Sequence, residues 1–520
     1  MSARELWSRP KLAIGIASAL LVSACNPPAA APPPGPQSGA LAPEVIPLPA
    51  SLSLAGGAPF QLTKETRVTL VGANPEVAAI GETLAAMLRR ATDFPVSVSV
   101  SSGGSGPGSV ELRLETDPAS LGADGYRLTV TSDSVRLVAG TPAGLFHGVQ
   151  TIRQLLPVDI ESDIGVERSW PIPAVTIVDR PRFGWRGSMI DPARHFLTVK
   201  EVEQYIDLMA LYKLNVLHLH LTDDQGWRIQ INSRPKLTAV GSLSQVGGGP
   251  GGFYTQQDYQ HLISYAQARY ITIVPEVEMP GHSSAATMAY PEVACNRTFC
   301  VDKEDTYALL DDVVREISAL TPGTYFHIGG DEVEGLTPEQ YARFVERAQT
   351  IVNKYGKLMI GWEEIAKAHI KPTTIVQQWK SDSATAALQY GSKLIMSPSD
   401  KAYLDMKYTA ATQLGLTWAA MIEVNTAYNW DPALYLPGVT EQNIVGIEPP
   451  IWGETVRNIA AVQYLAMPRL AALAEVAWTP QVSREWRGFS SRLAAQAPRW
   501  NYLGVNYYRS PLIPWSTDAR

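Results

Sequence analysis

Cysteine is scarce: 520 residues hold three, at positions 25, 295 and 300. No histidine or further cysteine lies near the later two at ligand spacing, which disfavours a metal site there. Long apolar runs are missing too. The stretch Leu12 to Val22 is about 11 residues, short of the ~20 that a bilayer core needs, and no later segment is more apolar. Nor is there a lysine- or arginine-rich block: 43 basic and 50 acidic side chains are spread along the chain, for a formal charge of −7. A nucleic-acid partner is therefore not expected, and the mild acidity does not select a substrate. What is present is enough apolar material for a large core, 45% against 18% charged. At ~150 residues per domain, the length predicts two to four domains. Of 13 Trp, nine fall after residue 360.

The N-terminus reads as an export signal, residues 1–24: Arg4, Arg9 and Lys11, an apolar run, then Leu21-Val22-Ser23-Ala24-Cys25. This end resembles the lipobox of bacterial lipoproteins, which implies cleavage before Cys25 and its lipidation. Asn26 follows, and the resemblance then implies the outer membrane, facing periplasm or cell surface. An ordinary cleaved signal is the alternative. Residues 25–41 form a Pro/Ala-rich linker, an extended spacer with nothing to bury. Attachment to the membrane is expected through the lipid alone. In an oxidising compartment, a disulfide between Cys295 and Cys300, closing a small loop, is the favoured reading.

Residues 42–179 alternate short strand-like runs with one helical stretch, roughly 76–90, and read as a small α+β domain without chemistry. From 180 to 505 the pattern changes. Candidate strands 185–190, 216–221, 272–277, 325–328, 357–361, 374–378, 393–396 and 444–447 alternate with helices 199–211, 256–268, 305–320, 338–355 and 456–477. Eight β-then-α units predict a (β/α)₈ barrel, the TIM barrel of the α/β class. A doubly wound sheet is the alternative, but no glycine-rich dinucleotide loop follows the first strand. Residues 506–520 are left as a C-terminal tail.

A barrel predicts that functional side chains cluster just after its strands. Asp191 and Arg194 follow the first, Asp223 and Asp224 the second, Glu278 and His282 the third. Gly329-Gly330-Asp331-Glu332 ends the fourth. Trp362 and Trp379 close the fifth and sixth, Tyr403 and Asp405 follow the seventh, and Trp452 and Glu454 the eighth. The adjacent carboxylates Asp331 and Glu332, held in a dry pocket, should divide into one ionised group and one proton donor. In extended chain they would point apart, and the two glycines would let a ring-shaped substrate approach the backbone. Trp362, Trp379, Trp418 and Trp452 suit stacking on sugar faces, with Arg194, Asp405 and Glu454 as hydroxyl partners. His218 and His220 share one strand face. Zinc ligation is one reading, joined only by His282 or His327; inward-facing structural histidines are the favoured one.

The strings RGSMIDPARHF, LNVLHLHLTDDQGWR, EVEMPGH, HIGGDE and YLDMKY resemble family 20 glycoside hydrolases, the β-N-acetylhexosaminidases. DGYRLTV and AGTPAGLFHGVQTIRQLL resemble the small domain that precedes their barrel. The resemblance implies exo-hydrolysis of terminal β-linked N-acetylglucosamine or N-acetylgalactosamine, with retention and with the substrate's acetamide as nucleophile. It implies Glu332 as general acid and base, Asp331 as acceptor of the acetamide N–H, and Tyr403 as donor to the acetamide oxygen. Trp362, Trp379 and Trp452 would wall the acetamide and sugar face, and Trp418 would stack on the next sugar. Arg194, Asp405 and Glu454 would bind the 3-, 4- and 6-hydroxyls, and Asp223 with His282 would support the acid. No cofactor or metal is implied. The glycine-rich stretch 241–252 departs from the usual rim loop. A lipid-anchored carbohydrate-binding protein without turnover is the alternative, but it requires loss of groups that are all present. A two-carboxylate glycosidase acting on sugars without an acetamide is a third reading. Chitin fragments, peptidoglycan pieces and glycans all offer such sugar ends.

Overall fold

The computed structural model describes residues 43–115 and 121–516. The expected signal, Cys25 and the linker lie outside the described residues.

The first part is a mixed sheet in the order 51–54, 175–179, 126–130, 134–139, 109–114, 67–71, 97–101. Tyr126, Leu128 and Val130 are buried while Arg127 and Thr129 are half-buried, as period-two alternation requires. Two helices accompany the sheet, not the single one expected. Pro75–Thr92 starts at Asn74, whose side chain accepts from the N–H groups of Glu76 and Val77. Pro142–Leu155 starts at Thr141 and is buried at nearly every position from Gly144 to Leu155. With so narrow a polar face it shows no amphipathic stripe in the sequence.

In the second part, strands Trp185–Ile190, Val216–His220, Thr272–Glu276, Tyr325–His327, Leu358–Trp362, Ile375–Gln378, Lys393–Met396 and Ile444–Ile447 are all parallel. The first strand pairs with both the second and the eighth, which closes the barrel. The helical layer is less regular than expected. Short 3₁₀ segments, Glu363–Lys367 and Ser383–Tyr390, follow the fifth and sixth strands. The helix expected over 456–477 is two, Ile459–Ala466 and Arg469–Trp478. Pro468 has no N–H to continue the first ladder, so the chain breaks there.

Barrel-facing side chains form layers. Trp185, Val216, Val274, Ile360, Ile375 and Ile395 make an apolar floor. Above it the filling is polar: His218 Nδ1 lies 2.7 Å from Glu448, and Glu448 also accepts from the Trp185 and Gln377 side chains. Buried charges persist only when paired in this way. The two parts of the fold meet at Asp179, which accepts from Tyr126 Oη, Lys213 Nζ and Trp478 Nε1 at 2.7, 3.2 and 2.9 Å.

Candidate active site

At the C-terminal ends of the strands lies a cavity of about 280 Å³ lined by Arg194, His282, Asp331, Glu332, Trp362, Trp379, Tyr403, Trp418, Trp452 and Glu454. Every one of these is a residue expected from the sequence. The other two expected residues, Asp223 and Asp405, are buried and do not line the cavity. Lys380, which sequence reasoning missed, completes the lining.

The fourth strand ends in a left-handed turn. Gly329 and Gly330 have φ of 66° and 94°, and Glu332 itself sits at 48°. The glycines answer a different need from the one expected. A Cβ on Gly329 would meet Glu278 Oε2 at 1.7 Å, and one on Gly330 would meet Ile365 at 2.9 Å. They make room for protein side chains packed beneath the turn, not for a sugar. Their N–H groups are used as well: Gly329 donates to His327 Nδ1 and Gly330 to Glu278 Oε1, at 3.0 and 2.8 Å. Asp331 and Glu332 therefore diverge through a turn, not through extended chain. The Asp331 side chain is 12% exposed and that of Glu332 52%.

His282 stands between the two carboxylates and a second pair. Its Nε2 lies 3.6 Å from Glu332 and 3.9 Å from Asp331, and its Nδ1 3.7 Å from Asp223 and 3.8 Å from Asp224. Burial opposes its charge, but these acids outweigh burial and keep it protonated. Asp223 in turn accepts from Arg194 Nη2 at 2.8 Å and lies 3.0 Å from His220 Nε2. Burial would raise Asp223; Arg194 first, then the two histidines, holds it far below the usual carboxylate range.

The carboxylates are pushed apart, as expected, but in the opposite sense. Burial raises Asp331, only partly offset by His282. Glu332 is lowered, chiefly by His282. Below them, burial and then Asp331 drive Glu278 well up. Glu364 is raised to about 7, by burial and then by Asp331. A leaving sugar laid over Glu332 would take its half-exposed carboxyl out of water and raise it toward the protonated form an acid requires.

The aromatic wall is continuous. Trp362 and Trp452 have ring centres 5.5 Å apart, and Tyr403 lies 6.4 Å from both Trp379 and Trp452. Trp362 Nε1 donates to Glu276 at 3.0 Å and Trp379 Nε1 to Glu364 at 3.2 Å, which fixes both indoles. Trp418 stands edge-on to Trp379 and Tyr403 and is half exposed at the rim. The Arg194 guanidinium lies 4.8 Å from the Trp452 ring centre. Behind it, burial and then Glu454 raise Asp405 well above its ordinary range. Backbone N–H groups approach Asp405, but neither of its oxygens makes a full hydrogen bond.

His218 and His220 are buried against carboxylates. Burial opposes their charge, yet Glu276 and Glu448 raise His218 to about 9, and Glu276 with Asp223 raises His220 to about 10. Cys295 and Cys300 are disulfide-bonded. The loop they close docks on the loop carrying His282, where Phe299 N donates to Pro280 O at 3.0 Å.

Residues 183–481 match the description "Glycosyl hydrolase family 20, catalytic domain", and 42–180 match "Glycosyl hydrolase family 20, domain 2". The chain belongs to glycosyl hydrolase family 20. A β-N-acetylhexosaminidase from Cellulomonas fimi is 43% identical over 491 residues, 91% of this chain and 97% of the relative. The β-N-acetylhexosaminidase structure from Streptomyces coelicolor A3(2) superposes with a TM-score of 0.87 at 44% identity, covering 91% of this chain and 99% of that one. A mutant Streptomyces plicatus β-hexosaminidase in complex with its product GlcNAc has the same TM-score and identity, covering 91% and 98%. Within this family chain, sequence reasoning missed the roles of Glu278, Glu364 and Lys380. Glu278 lies in the quoted string EVEMPGH and Glu364 stands two residues after Trp362, whereas Lys380 carried no signal beyond its place after a strand end.

Proposed function

We propose that this chain is an exo-acting β-N-acetylhexosaminidase that removes terminal β-linked N-acetylglucosamine or N-acetylgalactosamine with retention. The observation that carries the proposal is Asp331 Oδ1: buried, without a hydrogen-bond partner among the described residues, and set in a box of Trp362, Trp379, Tyr403 and Trp452. An unmet acceptor inside an aromatic box suits an acetamide, whose methyl packs on the rings while its N–H donates. So held, the acetamide oxygen faces the anomeric carbon and attacks it, with Tyr403 donating to that oxygen. An oxazolinium-type intermediate forms as Glu332 protonates the leaving oxygen. Glu332 then takes a proton from water, which opens the intermediate. Arg194 and Glu454 bind the hydroxyls of the terminal sugar and close off that end, with the unmet oxygens of Asp405 available behind them.

Aryl β-glycosides of N-acetylglucosamine, N-acetylgalactosamine and glucose test this directly. Turnover of the first two and not the third is expected, and a glucoside cleaved as fast as the acetamido sugars would overturn the mechanism. The N-terminal sequence supports a further part of the reading: export and attachment to the bacterial outer membrane through lipid on Cys25, facing periplasm or cell surface. Membrane fractionation of wild type and Cys25→Ser tests it, since only the wild type should partition with the membrane.

A further inference from the structure

The cavity carries three cationic side chains, and two of them are already neutralised. Arg194 is held by Asp191 and Asp223, at 3.1 and 2.8 Å. His282 lies among four carboxylates. The third, Lys380, makes no ion pair among the described residues. The residue is exposed, but its backbone is anchored. The buried carboxylate of Glu363 accepts from the N–H groups of Trp379, Lys380 and Ser381, at 3.0, 3.1 and 3.0 Å, and from Ser381 Oγ at 2.6 Å. The Lys380 ammonium then lies 4.9 Å from the Trp379 ring centre. It lines the same cavity as the Glu332 carboxylate, whose ionised form it favours.

Glu332 faces the leaving group, so a cation beside it faces the leaving group too. Trp418, half exposed beside Trp379, offers that sugar a flat face. A neutral leaving sugar offers this cation no counter-charge. A sugar with a carboxylate finds a counter-ion in Lys380. We propose that Lys380 makes the leaving-sugar side of this cavity selective for a sugar that carries a carboxylate. This deepens the hexosaminidase reading and rests on it.

The test compares kcat/KM for two disaccharides, GlcNAc-β-1,4-N-acetylmuramic acid and GlcNAc-β-1,4-GlcNAc, with the methyl ester of the first as a steric control. In the wild type the acid should be favoured over its methyl ester by about fivefold at low salt, the scale of one partly exposed ion pair. That preference should shrink in 0.5 M NaCl, given a Debye length of roughly 3 Å near 1 M. Lys380→Met should bring the acid-to-ester ratio to about one, Lys380→Glu should invert it, and Lys380→Arg should restore it. Ratios cancel any effect of the lysine on Glu332 itself. If Lys380→Met slows all three substrates by one factor, the lysine serves only the acid and the selectivity proposal falls while the hydrolase reading stands. If none is hydrolysed by the wild type, the hydrolase reading falls and takes this inference with it.

Discussion

The His282 imidazole stands 3.6 Å from the Glu332 carboxylate and holds it in the ionised form. The same cation, 3.9 Å from Asp331, also favours ionisation there, against the burial that raises that group. The competent state needs one proton on the pair, so the rate should rise and fall with two macroscopic steps. Replacing His282 by Asn removes the cation, and both carboxyls rise. The whole kcat/KM profile should therefore move to higher pH. A profile that stays in place would show that His282 sets neither group.

Glu364 touches the same balance from the other side. It accepts from Trp379 Nε1 and is raised to about 7 by burial and by Asp331. Like charges raise one another, so Glu364→Gln should let Asp331 ionise at lower pH and bring the upper limb of the profile down. The amide oxygen can still accept from Trp379, so KM should change little. Glu364→Ala should in addition raise KM several-fold, because the indole loses its anchor. Equal pH profiles for wild type and Glu364→Gln would refute the coupling.

The barrel was legible because its signals are local. Strand runs alternate with helical stretches, and the polar residues stand immediately after the strands. The charge arrangement was not. Glu278 and Glu332 are both glutamates in recognisable strings, yet one is buried and pushed well up while the other is half exposed and lowered. That difference comes first from the burial of Glu278 and then from Asp331 and His282, each brought in from the other strand end. Lys380 is unremarkable until the fold shows that neighbouring cations are paired and it is not. The helix Pro142–Leu155 escaped for a related reason: burial on nearly every side removes the periodicity that identifies a helix.

The turn at the end of the fourth strand gives a stability prediction. Gly329→Ala puts a methyl at φ 66° and 1.7 Å from Glu278 Oε2. Gly438, at φ 76° with nothing within 4 Å of its Cβ position, is the matched control. Gly438→Ala should cost only the left-handed backbone penalty, ~1–2 kcal/mol. Gly329→Ala should cost that and a further ~1–3 kcal/mol from overpacking, measured by urea unfolding. Equal losses would mean that Glu278 moves aside freely.

The buried histidines predict an alkaline weakness. His218 and His220 are raised to about 9 and about 10, above the ~6.5 of a free imidazole. Their contribution is therefore complete below about pH 6.5 and is lost as pH rises through 9 to 10. The thermal midpoint should fall between pH 8 and 11. His218→Asn, less stable at neutral pH, should fall less over that range. A parallel decline in the two proteins would place the weakness elsewhere.

The central claim is that the substrate's own acetamide is the nucleophile, held by Asp331. The most direct measurement is kcat/KM along aryl β-glucosaminides whose N-acyl group is acetyl, fluoroacetyl, difluoroacetyl and trifluoroacetyl. Each fluorine weakens the carbonyl oxygen as a nucleophile while barely changing its size. The account predicts a steep fall, orders of magnitude across the series. A flat series would contradict it and point to a nucleophile supplied by the protein.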